Sequence, residues 1–197
     1  IGYLDPNIYH LPFPYPWKKE AIENPRIFFR NSIRDLIKKK NIDPKTDLCG
    51  IMMETFQGWG AIFYPLKFVK LIEKICAENN ILLCFDEMQA GFGRTGKKFG
   101  YEHYDVKPDL ICCGKGMGNG YPLSGVIGRA EIMDLPEIGN MSSTHSANPM
   151  ACAVGLAVIE EIESKNLINA SHKKGCLLKS KLNELLSKSD GRIKYIL

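Results

Sequence analysis

Two short uncharged runs, Ile81-Leu82-Leu83-Cys84-Phe85 and Leu110-Ile111-Cys112-Cys113, constrain this chain more than any other feature. A strand with one face in water alternates apolar and polar residues. These runs are apolar at every position, as expected of strands covered on both faces. Strands are predicted at 47–54, 81–85, 109–113 and 124–128. Helices are predicted at 26–40, 65–79, 149–164 and 166–188, the second entered through Pro65. Short apolar strands separated by helices predict an α/β fold on a parallel sheet. Residues 1–17 hold Pro6, Pro12, Pro14 and Pro16 among aromatics, which excludes regular helix and predicts an extended loop.

With 197 residues, 45% of them hydrophobic, the chain can bury the core of one domain. Its 26 Lys and Arg against 22 Asp and Glu are scattered, so no concentrated positive field exists to hold nucleic acid. The one basic cluster, Lys38 to Lys40, reads as a solvated helix end, where cations suit the dipole. Seven cysteines without a CxxC pair, most within apolar runs, read as buried free thiols of a reducing compartment. The four histidines are dispersed, and no His/Cys spacing supports a metal site. No apolar run approaches the roughly 18 residues of a membrane helix, and no signal-peptide pattern opens the chain. A cytoplasmic protein with no membrane contact is expected. The start at Ile1 and the stop at Leu197, inside an apolar stretch, are expected to be cuts through a longer protein.

In a parallel α/β sheet, ligands gather at the carboxyl ends of the strands. Glu54, Asp86 and Lys115 each follow a predicted strand directly and are therefore expected to converge on one sheet edge. Asp86-Glu87 after an apolar run would also suit a nucleotide hydrolase. The phosphate loop that such an enzyme needs fails here, with Asp109 in place of its first glycine and Gly116 in place of its hydroxyl. Lys115 lies between Gly114 and Gly116 and opens the run Gly116-Met117-Gly118-Asn119-Gly120. A surface lysine needs no such glycines, whereas a Schiff-base lysine benefits from a backbone that lets cofactor and substrate approach closely. Pyridoxal phosphate needs a lysine for its aldehyde carbon and an anion for its ring nitrogen, and Lys115 and Asp86 meet both needs.

Five ordered blocks extend this reading. They are Glu54-Thr55-Phe56-Gln57-Gly58, the run from Phe85-Asp86-Glu87-Met88-Gln89 to Gly96, Pro108-Asp109-Leu110, the block from Gly114-Lys115-Gly116 to Tyr121-Pro122-Leu123-Ser124-Gly125, and Ser143-Thr144-His145-Ser146-Ala147-Asn148-Pro149. Together they are similar to class-III pyridoxal-phosphate-dependent aminotransferases of the ornithine, 4-aminobutyrate and omega-amino-acid type, over residues 8–175. The resemblance implies the type I fold of pyridoxal-phosphate transferases, with residues 1–197 as part of its large, cofactor-binding domain. The N-terminal part of that domain and the C-terminal small domain would lie outside the chain. It further implies that Lys115 bonds pyridoxal 5'-phosphate and shuttles the substrate proton, and that Asp86 keeps the ring nitrogen protonated. Gln89 would hydrogen-bond the phenolic oxygen, Glu54 would stand behind Asp86, and Ser143 and Thr144 would reach the phosphate across a homodimer. Arg94 and Gly96 are expected to shape their loop.

The implied reaction moves an amino group between an amine or amino acid and a 2-oxo acid. Racemisation or lyase chemistry with the same cofactor is the alternative, and so is a non-catalytic piece without cofactor. The family's phosphate cup, stacking aromatic and carboxylate-binding arginine fall outside the chain, so these residues alone are expected to be inactive. One position departs from members that use 2-oxoglutarate. Where they carry an acid two residues after the glutamine, Trp59 follows Gln57. An indole cannot neutralise a guanidinium by ion pairing, so Trp59 is a candidate substrate-site residue favouring small 2-oxo acids such as pyruvate, or else it only packs the loop.

Overall fold

The computed structural model describes residues 5–141 and 143–197. Of the predicted extended loop, residues 1–4 lie outside the described set, and 5–17 hold neither helix nor strand. The described residues pack as two compact units, one within 5–51 and 64–82 and the other within 52–63 and 83–197.

The first unit is built on α1 (Lys19–Glu23), α2 (Pro25–Lys40), the start of β1 (Gly50–Glu54) and α3 (Leu66–Asn79). Pro25 fits the first turn of α2, where its missing N–H costs no hydrogen bond. Asn41 and Asn80 close α2 and α3 in the left-handed conformation, with φ of 55° and 58°. Lys38, Lys39 and Lys40 occupy the last turn of α2, at the negative end of its dipole. Phe28 and Phe29 of α2 meet Phe68 of α3 edge-on, with ring centroids 6.2 and 6.3 Å apart. Val69, Leu71, Ile72 and Cys76 complete the buried face of α3, at the spacing that one side of a helix requires.

The second unit continues with β2 (Phe56–Gln57), β3 (Ile62–Phe63), β4 (Leu82–Asp86, from Leu83 onward), β5 (Leu110–Cys113), β6 (Gly125–Gly128), α4 (Ala130–Met133), α5 (Pro149–Ser164) and α6 (Leu167–Lys188). Strands β2 and β3 form a hairpin. The main sheet runs β1-β4-β5-β6, is mostly parallel, and ends in β6, which pairs antiparallel with β5. Residues 114–124 fold as a 3-10 turn and a glycine-rich bend rather than a crossover helix, so the chain returns beside β5 in the opposite direction. The protein is thus α/β, as the alternation of strands and helices requires.

Coverage of the sheet differs from the expectation. Leu83, Phe85, Ile111 and Cys113 are buried, while Cys84, Asp86, Leu110 and Cys112 on the opposite face are half-buried. Phe85 lies 5.9 Å from the Tyr101 ring and 6.5 Å from that of Tyr104. Two-residue alternation therefore operates even in runs apolar at every position, because packing rather than composition decides which face is sealed. Asn148 caps α5, its Oδ1 accepting from the backbone N–H groups of Met150 (3.0 Å) and Ala151 (3.3 Å). Among the described residues no helix is long and apolar enough to cross a membrane.

One buried acid ties this unit together. Glu87 is fully buried and accepts hydrogen bonds from the Thr55 hydroxyl and from the backbone N–H groups of Gly100 (2.7 Å) and Tyr101 (2.8 Å). Burial pushes its carboxyl above the ordinary 4.5, and the three hydrogen bonds pull the other way. A raised native value means that Glu87 favours the fold most below pH 4.5, and that this contribution fades as pH rises through the native value. In Glu87→Gln either amide orientation sets an N–H against a backbone N–H. Thermal melts of the full-length variant at acid pH are expected to show a loss of about 1–3 kcal/mol, narrowing toward neutral pH as only the wild type ionises. Equal stability at acid pH would refute the assignment.

Candidate active site

The parallel register sets Asp86 opposite Cys112, so β4 and β5 end at the same sheet edge. Asp86 is the last residue of β4, and Lys115 begins a 3-10 turn just beyond β5. Lys115 is held at φ 40°, a left-handed conformation that non-glycine side chains rarely adopt and that clusters at functional sites. Gly114 before it is fixed by packing: a Cβ there would strike Met88 Sδ. This glycine thus brings strand β5 close to the turn after β4, a role different from the open approach path inferred from sequence.

A hydrogen-bonded chain links three of the candidate residues. Glu54, the last residue of β1, accepts from Gly58 N–H at 3.2 Å. Gly58 C=O accepts from Gln89 Nε2 at 3.2 Å, and Gln89 Oε1 accepts from Lys115 Nζ at 3.4 Å. Glu54 therefore reaches Lys115 through the backbone of Gly58 and the Gln89 amide. The final bond is long, so it orients the amine loosely. Asp86 is half-buried, and its Oδ1 accepts from Met88 N–H at 2.9 Å. Among the described residues nothing donates to Oδ2, which remains open to an incoming N–H.

A cavity of about 380 Å³, within the range of small-molecule sites, opens beside Lys115. Gln89, Lys115, Phe56, Phe92 and Arg94 are among its lining residues, and no carboxylate is. Asp86 and Glu54 stand at the same sheet edge but outside this lining. Trp59, in the turn between β2 and β3, is 81% exposed and also lies outside it. Ser143 and Thr144 are exposed in the loop before α5, where the Ser143 and Ser146 hydroxyls are 2.8 Å apart. The Lys115 side chain is exposed rather than desolvated.

Reading the sequence did not single out Phe56, Phe92 or Arg94 as cavity residues. Phe92 sits at φ 56°, a costly conformation for an aromatic residue, and no periodicity signals it. The Cys84 thiol near Asp86 is not a competing nucleophile. Cys84 Sγ is 3.8 Å from Cys112 Sγ; burial, then Cys112, then the Asp86 carboxylate push the Cys84 thiol up to about 12, where it stays protonated at neutral pH.

The donor set suits pyridoxal 5'-phosphate. An accessible primary amine can bond an aldehyde carbon, an amide can donate to a phenolic oxygen, and a carboxylate with one open oxygen can accept from a protonated ring nitrogen.

The model of the family described as aminotransferase class-III matches residues 1–196. The chain is 37% identical over 192 residues to a probable 4-aminobutyrate aminotransferase of Bacillus subtilis, covering 93% of this chain and 43% of that protein. It is also 37% identical to an alanine/serine racemase of Pyrococcus horikoshii, over 92% of this chain and 40% of the relative. Among solved structures, an (S)-enantioselective omega-transaminase from Thermomicrobium roseum superposes with a TM-score of 0.79 at 27% identity, covering 94% of this chain and 43% of that one. The chain thus spans less than half the length of these relatives. With its ordered blocks and sheet-edge lysine and carboxylate, it belongs to the class-III aminotransferases, a family dependent on pyridoxal 5'-phosphate.

Proposed function

We propose that the full-length protein transfers an amino group between an amine or amino acid and a 2-oxo acid, with Lys115 as its catalytic residue. The observation that carries this reading is the convergence of Lys115 and Asp86 on one edge of a parallel strand pair, with Gln89 bonded to the lysine. When bound, pyridoxal phosphate supplies an electron sink for the negative charge left on the substrate α-carbon. The chain's own residues do the rest. Lys115 Nζ would hold the cofactor's aldehyde carbon and, once the substrate amine has displaced it there, would take the α-proton and deliver it to that aldehyde carbon. Asp86 Oδ2 accepts from the ring nitrogen and favours its charged form. Gln89 donates to the phenolic oxygen, and Glu54, by holding Gly58, is a positioning residue for Gln89. Ser143 and Thr144 serve the phosphate of a neighbouring subunit in a homodimer. The cytoplasm is the proposed compartment, on the reading of the cysteines as free thiols, although only Cys76 and Cys113 are buried, against the burial expected of them from the sequence. Assaying the full-length protein for transfer of label from a 15N-amino donor to a 2-oxo acid tests this reading, and absence of labelled product overturns it.

The racemase relative supports a second reading, return of the α-proton to the opposite face of the same carbon. Epimerisation of an amino acid without any 2-oxo acid, and without label transfer when one is added, would establish it. Lack of a visible cofactor absorbance in the full-length protein would instead indicate a non-catalytic role.

Trp59 carries a proposal about the acceptor. With an indole rather than an acid two residues after Gln57, nothing at that position pairs with an arginine, and a second substrate carboxylate gains no built partner there. Pyruvate is therefore expected to exceed 2-oxoglutarate in kcat/KM, and Trp59→Glu to narrow the ratio. A wild type that already prefers 2-oxoglutarate would sink the proposal.

A further inference from the structure

The half-buried face of the main sheet holds a pair of thiols that amino-group transfer does not use. Cys84 Sγ of β4 and Cys112 Sγ of β5 lie 3.8 Å apart. Both are free and half-buried, and they share a face because Cys84 and Asp86 alternate to one side of β4 while Cys112 stands opposite Asp86. Register decides what such a pair can become. Cys84 is opposite Leu110, two residues before Cys112. With strands about 4.8 Å apart and two residues spanning about 6.6 Å, the two Cα atoms are about 8 Å apart. A disulfide needs less than about 7 Å, so closing one would require the backbone to move. A bridging ion needs no such closure. Two sulfurs, each about 2.3 Å from a tetrahedral ion, are themselves about 3.8 Å apart.

We propose that Cys84 and Cys112 form a binding site for a soft divalent cation of the zinc and cadmium type, bridged between β4 and β5. The site does not depend on the amino-transfer reading. Thiolate sulfur selects such ions over magnesium and calcium, which take oxygen. On binding, two S–H bonds break, two sulfur–metal bonds form and two protons leave to solvent, with no change of oxidation state. The Cys84 thiol, protonated at neutral pH, is a poor nucleophile, yet an ion that bonds the sulfur displaces the proton by its own charge. Among the described residues no third His, Cys, Asp or Glu completes a closed metal site, so water fills the remaining positions. The ion is therefore a reversible ligand and not a part of the fold. Another thiol with a neighbouring donor, Cys176, lies 3.7 Å from His172 Nε2, but that pair is exposed on the single helix α6.

The test titrates full-length protein, kept reduced with a phosphine, with cadmium chloride. Bound stoichiometry and the ultraviolet absorbance of sulfur–cadmium bonds are followed. Wild type is expected to hold an ion that Cys84→Ser and Cys112→Ser each weaken by at least about tenfold, because both sulfurs share it. Cys176→Ser should leave that ion in place. Cadmium-edge X-ray absorption of the wild type, which needs no substitution, should show two sulfur neighbours. Unweakened binding in either of the first two variants, loss of the ion in Cys176→Ser alone, or a single sulfur neighbour would overturn the proposal. So would a mass lower by two hydrogens after mild oxidation, with Cys84 and Cys112 joined in the peptide map, because the backbone would then permit the closure that the register forbids.

Discussion

Lys115→Ala in the full-length protein is expected to lower amino-group transfer by at least about 10²- to 10⁴-fold, the range that a positioned acid–base group alone supplies. The true loss should lie at or beyond the upper end, because the same nitrogen also bonds the cofactor. Lys115→Arg separates that role from charge. A guanidinium preserves the cation facing Gln89, yet it is a poor nucleophile and a poor base at neutral pH. Both variants should therefore fail alike, and borohydride followed by peptide mapping should place the pyridoxyl group on Lys115 in wild type and nowhere in the variants. An adduct on Lys97 or Lys98, or substantial turnover by Lys115→Arg, would show that the wrong lysine has been named.

Asp86→Asn should cost on the order of 10² in turnover or more, as expected when a preorganised charge is removed from a reacting centre. The structure makes this a clean substitution. The bond from Met88 N–H goes to Oδ1, which an asparagine retains, so the turn after β4 is preserved. What changes is Oδ2, where an anion becomes an amide unable to favour a protonated ring nitrogen. Asp86→Glu keeps the charge but lengthens the side chain by one methylene, and should lose less than Asp86→Asn if charge dominates. Comparable kcat for Asp86→Asn and wild type, with cofactor bound in both, would remove Asp86 from the mechanism.

Much of this was legible without coordinates, for a physical reason. Helices α5 and α6 and strands β4 and β5 lie within about one residue of the predicted bounds, because periodicity, Pro149 and apolar runs are local signals. That Asp86 and Lys115 share a sheet edge was legible because each follows a strand directly, and parallel strands end together. The direction of β6 was not legible, being decided by the bend at 114–124 that replaces a crossover helix. Nor was the β2–β3 hairpin, whose two-residue strands carry too little pattern to stand out. Glu87 looked like the neighbour of a functional acid. Alternation along β4 sends it inward, where Thr55, Gly100 and Tyr101, distant in sequence, supply its hydrogen bonds. Arg94 followed the same logic in reverse: its sequence reads as a turn, and only the packing of that turn on α6 puts a guanidinium at the cavity. The sequence by itself determined the elements and the sheet edge where chemistry gathers. Which side chains are sealed, satisfied or left free at that edge depends on residues far apart along the chain, and tertiary structure alone decided it.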